Sequence, residues 1–313
     1  FKPIKKGQGT GNIIAGLLAA HLLALEFNRT VCVSPLYKTF LDAFEPANPV
    51  AMENCPKLLA GELPARTRDN YLSIINYNLP PDECVLKDTL TSDNPVLYME
   101  SNTYPRWPAV PDNLFFTNYR AKPELLKALP YKESPTTVVH LREPDGANDA
   151  RKGLDDDSLK ALGKMLPPDT YLVTNRVEWY DKFEKEYGWS HPEWDEVIHS
   201  AYQKSWGVRG STERQTHSVA QVDRETQNLQ MWCDWYTILT AKFVYHTHSD
   251  FSISAIHWQN LDSFEIMGMN ATTGELELEE ERWRITGETK RLVDRTVGGK
   301  GTSDLRECEG LRF

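Results

Sequence analysis

The apolar positions of this chain fall into short, separated blocks, and their spacing predicts alternating helices and strands. The first block runs from Ile13 to Phe27 and is interrupted only by His21 and Glu26. It is short for a bilayer span, so it predicts a buried helix from about Ile13 to Glu26. Gly7-Gln8-Gly9-Thr10-Gly11-Asn12 stands before it, and Phe1 to Ile4 reads as the end of a strand. After it, Arg29-Thr30-Val31-Cys32-Val33-Ser34 is β-branched and apolar, the pattern of a short buried strand. Strand, glycine turn, helix and strand form the repeating unit of a parallel sheet. From Lys38 to Pro111 the signal weakens among Pro, Asn and Asp, although Val96 to Glu100 reads as a strand.

A second series follows Tyr131-Lys132-Glu133-Ser134-Pro135, which reads as a linker. The patterns predict a strand over 136–141, a helix over 154–166, a strand over 170–174 and a helix over 176–187. They continue with a helix over 228–241, a strand over 242–246 and a helix beginning near Ser252. Residues 272–281 are acidic and read as solvated surface or a linking helix. Two blocks of alternating strands and helices predict an α/β protein built from two facing, doubly wound, Rossmann-like domains. The first covers residues 1–133 and the second 134–270, with 271–313 as a C-terminal helix or tail.

The length of 313 residues agrees with two domains of about 150 each. A net charge of -10 argues against a nucleic-acid partner, which needs a basic face to displace counterions from phosphate. An anionic ligand must instead meet a few local cations and backbone amides. The five cysteines, Cys32, Cys55, Cys84, Cys233 and Cys308, form no C-x-x-C pair, so no zinc or thioredoxin-type site is expected. Cys32 reads as buried, and Cys55 and Cys84 as able to pair. Asn28-Arg29-Thr30 and Asn270-Ala271-Thr272 match the N-glycosylation pattern, which also arises by chance. The chain begins at Phe1 without a Met, so a missing signal or anchor segment carries no weight.

Three strand ends carry candidate chemistry. The glycine loop lacks the full dinucleotide spacing and any acid after the second strand, and it lacks the Gly-Lys-Ser/Thr of a P-loop. It is either a tight turn or an anion site at a helix N-terminus, with Asn12 as cap or ligand contact. In Thr137-Val138-Val139-His140-Leu141-Arg142-Glu143-Pro144-Asp145, alternation places His140 and Arg142 on one face at the strand's carboxyl end. A guanidinium there can hold a diphosphate through paired hydrogen bonds, or can pair structurally with Glu143 or Asp145. In Lys242 to Ser254, a strand passes through a polar turn into a helix. Ser249, Asp250 and Ser252 there are capping residues that also suit a phosphate or ribose site. His246, His248 and Asp250 could be drawn as metal ligands, but alternation breaks at the turn, and no metal is expected.

In order, these segments resemble a known family. Gly9-Thr10-Gly11-Asn12 entering an apolar helix and Asn28-Arg29-Thr30 entering a strand are followed by His140-Leu141-Arg142 with Asp145, then Thr174-Asn175. Asp234, Ala241 to Val244 and Thr247-His248-Ser249-Asp250-Phe251-Ser252 complete the set. The order is similar to that in α1,6-fucosyltransferases, protein O-fucosyltransferases and plant xyloglucan fucosyltransferases. The resemblance implies a GT-B fold and an inverting, metal-independent glycosyltransferase that uses GDP-fucose as co-substrate, with no cofactor. It implies that Arg142 is catalytic and holds the β-phosphate. His140, Asp145, Asn175 and Asp234 would help bind the nucleotide, and Ser249, Asp250, Phe251 and Ser252 would close over base and phosphates. Gly11 and Asn12 would reach across from the other domain.

The chain also departs from the family. Glu143 stands where several members carry a second Arg, Gly146 where the α1,6-type enzymes have Lys, Asp250 where Ser is common, and Asn175 where many have Asp. These changes remove positive charge near the donor and alter contacts to the base. The acceptor would be a glycan or glycoprotein. In a eukaryote the location would be the Golgi or ER lumen, with any membrane anchor outside this chain. Glu143, Asp145 and Asp149 are candidates to take the acceptor proton. Two alternatives stand beside this reading. One is the same fold with another GDP- or UDP-linked pentose or hexose. The other is a non-catalytic glycan-binding protein.

Overall fold

The largest sheet has five strands in the order β6-β5-β7-β8-β9. They are β5 (Thr137–Leu141), β6 (Tyr171–Thr174), β7 (Phe243–His246), β8 (Asp262–Met269) and β9 (Leu276–Glu281). The first four run parallel, and β9 closes the edge antiparallel to β8. The structure is a computed structural model that describes residues 10–26, 28–34, 37–48, 71–74, 96–101, 110–144, 153–193 and 224–281. Among these the protein is mixed α/β with a predominantly parallel sheet.

Helices cover both faces of this sheet. On one face lie α5 (Asp156–Met165) and α6 (Val177–Tyr187), which bury Leu159, Leu162 and Phe183 against Val139, Leu141, Leu172 and Ile266. On the other lie α7 (Arg224–Thr240) and α8 (Asp250–Gln259), whose Trp232, Trp235 and Trp258 share a core with Val138, Val173 and Val244. Alternate residues of one strand thus enter different cores. This is why β5 is buried at all five positions and reads as a continuous apolar run. The chain leaves β5 towards β6 and later returns to β7 on the opposite side, so the direction of winding reverses between β5 and β7.

The N-terminal segment adds α1 (Thr10–Glu26), α2 (Lys38–Ala43), α3 (Leu114–Asn118) and α4 (Pro123–Ala128). Two small sheets accompany them. The antiparallel pair is β1 (Phe44–Pro46) with β4 (Tyr119–Ala121), and the parallel pair is β2 (Tyr71–Ile74) with β3 (Tyr98–Ser101). Ile14, Leu17, Leu18 and Leu22 of α1 are 0–2% exposed and join the core formed by α7 and α8. That core therefore takes residues from both sides of position 133. No helix among the described residues is long and apolar enough to cross a membrane.

The structure corrects three expectations. Residues 31–34 are not a strand: Val31 and Val33 are buried as an alternating pattern requires, but no ladder forms on this segment. Cys32 between them is only half-buried and is disulfide-bonded; Cys55, Cys84 and Cys308 lie outside the described residues, and Cys233 is free and buried. Residues 276–281, expected as surface or helix, form β9, because Leu276 and Leu278 alternate onto the α5–α6 core while Glu277 and Glu279 face outward. The preceding strand β8, also absent from the expectation, turns into β9 through a loop in which Asn270 Oδ1 accepts from the amides of Thr272 (2.8 Å) and Thr273 (3.1 Å). The linker at 131–135 is anchored: Tyr131 donates its hydroxyl to Thr237 Oγ1 at 3.0 Å.

Candidate functional site

In an open parallel sheet, ligands sit beyond the carboxyl ends of the strands where the winding reverses. Here that place lies between the ends of β5 and β7. Arg142 follows β5 directly and Thr247 follows β7, and a hydroxyl joins them: Thr247 Oγ1 accepts from the Arg142 amide (2.6 Å) and donates to the Arg142 carbonyl (3.3 Å). The Thr247 amide also donates to the His140 carbonyl at 3.0 Å, extending the ladder by one rung. Sequence reasoning named Thr247 at the head of a motif but gave it no role of its own. Its partner lies 105 positions away, so the bracket on Arg142 has no local signal.

Arg142 is 3% exposed, and its Nη1 donates to the Glu143 carbonyl at 3.1 Å. The ring of buried His140 lies 5.7 Å from that of Phe251 in the first turn of α8. Asn175 follows β6, and both ends of its amide meet Glu143: Oδ1 accepts from the Glu143 amide (2.8 Å) and Nδ2 donates to the Glu143 carbonyl (3.1 Å).

The turn after β7 is built by capping. Ser249 is the N-cap of α8 and accepts from the Phe251 amide at 3.4 Å, while the Ser252 hydroxyl donates back to the Ser249 carbonyl at 3.1 Å. Asp250 supplies the acidic first turn that a helix N-terminus favours. Gly11 and Asn12 lie inside the first turn of α1 rather than in a turn before it, and the start of α1 abuts the start of α8. A β-carbon on Gly11 would overlap the Asp250 backbone, so close approach is what requires glycine there. Further along, His21 meets Trp258 at 5.4 Å between rings, so the two helices run in the same direction. Their N-terminal ends, both electropositive, therefore meet beside β7. Gly7 and Gly9 lie outside the described residues.

The remaining candidates take other positions. Asp234 on α7 is 8% exposed, and its charge helps burial raise the pKa values of Tyr171, Tyr180 and Cys233. Burial raises the carboxyl of half-buried Glu143 above its ordinary value, opposed by Arg176 and a hydrogen bond from the Leu154 backbone. A β-carbon on Gly153 would press on that carboxylate, so the Glu143 side chain packs directly against Gly153. Asp145 and Asp149 lie outside the described residues. His246 is fully buried, with Nδ1 3.2 Å from the Thr247 carbonyl, whereas His248 is exposed and lies 3.1 Å from Glu265. Among the described residues, no three His, Cys, Asp or Glu side chains gather as a metal site would require.

No protein-family model and no curated protein matches the sequence. Solved structures are similar. An Arabidopsis thaliana FUT1 mutant in complex with GDP is 12% identical, with a TM-score of 0.49 covering 86% of this chain and 71% of that one. NodZ α-1,6-fucosyltransferase co-crystallised with GDP is 15% identical, with a TM-score of 0.48 covering 90% and 98%. Fucosyltransferase NodZ from Bradyrhizobium is 14% identical, with a TM-score of 0.44 covering 90% and 98%.

Proposed function

We propose that this protein is a glycosyltransferase that binds the diphosphate of a nucleotide sugar between the ends of β5 and β7 and transfers the sugar to a glycan or glycoprotein. The observation that carries the reading is that buried Arg142 is tied through its main chain to Thr247, two residues before the N-cap of α8, whose first turn abuts that of α1, at the point where the winding reverses. A guanidinium keeps its charge at any working pH, and helix amides add fixed partial charge without reorganisation. Glycosyl transfer builds negative charge on the departing diphosphate, which is what such an arrangement stabilises.

GDP-fucose is the proposed donor, on the ordered motifs from Gly9 to Ser252. Inversion at the anomeric carbon and independence from metal belong to the same reading, with Arg142 and the helix amides doing electrostatically what a cation would otherwise do. The disulfide at Cys32 favours an oxidising compartment such as the secretory pathway. Calorimetric titration with GDP and UDP, followed by transfer assays with the corresponding sugars, tests the proposal. Arg142→Ala is expected to keep its fold and to lose transfer on the order of 10²–10³-fold. Tight UDP binding without GDP binding would remove fucose as the donor. An unchanged transfer rate in Arg142→Ala would remove the site.

A further inference from the structure

We propose that Asn175 is a positioning residue that aims Arg142, rather than a contact to the nucleotide; this rests on the reading of Arg142 as the diphosphate ligand. A guanidinium can grip a diphosphate through two parallel bonds only if its own direction is fixed. Two side chains from the neighbouring strand ends fix it. Thr247, beyond β7, brackets the Arg142 main chain by accepting from its amide and donating to its carbonyl. Asn175, beyond β6, brackets the next peptide in the same way, at 2.8 Å to the Glu143 amide and 3.1 Å to the Glu143 carbonyl.

The link between Asn175 and the guanidinium is the Glu143 carbonyl. It accepts from Asn175 Nδ2 and from Arg142 Nη1, both at 3.1 Å. Asn175 thereby holds an acceptor to which the guanidinium itself is bonded. Nη1 of Arg142 is engaged by that carbonyl, so a shift of the Glu143 peptide shifts the guanidinium with it.

The arrangement requires an amide at position 175. The Glu143 peptide offers one donor and one acceptor, and Asn matches both with its carbonyl oxygen and amino group. Asp could still accept from the Glu143 amide, but its second oxygen would oppose the Glu143 carbonyl and release it. It would also place a negative charge next to a guanidinium whose charge the diphosphate needs. Asn175→Asp therefore separates positioning from packing, since the two side chains have nearly the same shape.

A double-mutant cycle on GDP affinity tests this. Asn175→Ala and Asn175→Asp are each made in the wild-type and Arg142→Ala backgrounds, with thermal unfolding confirming that each variant folds. Each change is expected to weaken GDP binding about tenfold in the wild-type background and less than about twofold when Arg142 is already absent, because residues that act through one another are not additive. Equal losses in both backgrounds would overturn the proposal, since Asn175 would then act independently of Arg142. Wild-type affinity in Asn175→Asp would also overturn it. Failure of the functional reading looks different: Arg142→Ala would then bind GDP as tightly as wild type, and the positioning role would fall with it.

Discussion

His21 makes a quantitative prediction about acid stability. It lies on α1 at 3% exposure, with Nε2 2.7 Å from Tyr119 Oη and its ring 5.3 Å from that of Tyr119 and 5.4 Å from that of Trp258. Burial among these rings pushes its pKa from 6.5 down to about 3. The folded state thus binds the proton less readily than the unfolded chain. A depressed folded value means the associated stability is present above the unfolded pKa of about 6.5 and is lost as pH falls towards about 3. Near pH 5 the unfolded chain's imidazole is almost fully protonated and the folded one is not. At ~1.36 kcal/mol per unit, the gap of about 1.5 units between pH 5 and the unfolded value costs about 2 kcal/mol. His21→Gln is the comparison, because an amide can keep the bond to Tyr119 and does not titrate. Urea unfolding of both proteins, followed by tryptophan fluorescence at pH 7.5 and pH 5, gives the difference directly. Wild type is expected to lose about 2 kcal/mol more than His21→Gln over that interval. Equal losses in the two proteins would refute the assignment of a buried neutral imidazole.

Further outcomes follow from other contacts. Gly11→Ala is expected to push α1 away from α8 and cost about 1–3 kcal/mol, with a parallel loss of GDP affinity, checked by chemical unfolding and calorimetry. The Ser158 hydroxyl accepts from the Met269 amide at 3.0 Å and ties α5 to β8; Ser158→Ala is expected to cost about 1–2 kcal/mol in unfolding free energy. Cys233 is buried, with its thiol pushed up to about 12 mainly by burial and then by Asp234, so iodoacetamide should leave it unmodified in the native protein. Mass spectrometry should find it alkylated only after unfolding, and find Cys32 alkylated only after reduction.

Much of the second half of the fold was readable along the chain, for a local reason. The β5 and β6 strands are buried at every position and β7 at alternate ones, so they appear as short apolar runs, while α5 and α6 each expose one polar face. Asp155 before α5 announces its start, and its side chain accepts from the Ser158 amide at 2.8 Å. The edge hairpin was not readable. Glu277 and Glu279 of β9 are exposed, and its two leucines mean nothing until Ile266 and the α5–α6 core stand opposite them. The segment at 31–34 failed the other way: its alternation is real and its valines are buried, but a strand also needs a neighbour for its ladder.

The same division runs through the candidate site. Periodicity alone placed His140 and Arg142 at a strand's carboxyl end, and residue type alone marked Ser249 as a helix cap, because both depend on neighbours a few positions away. Only tertiary structure decided that Gly11 is glycine because the start of α8 presses against it. Only tertiary structure showed that Thr247 brackets Arg142 and that Asn175 brackets Glu143. Each of those contacts joins residues between 32 and about 240 positions apart, and no local pattern can encode a partner that chain reversal alone brings within hydrogen-bond distance.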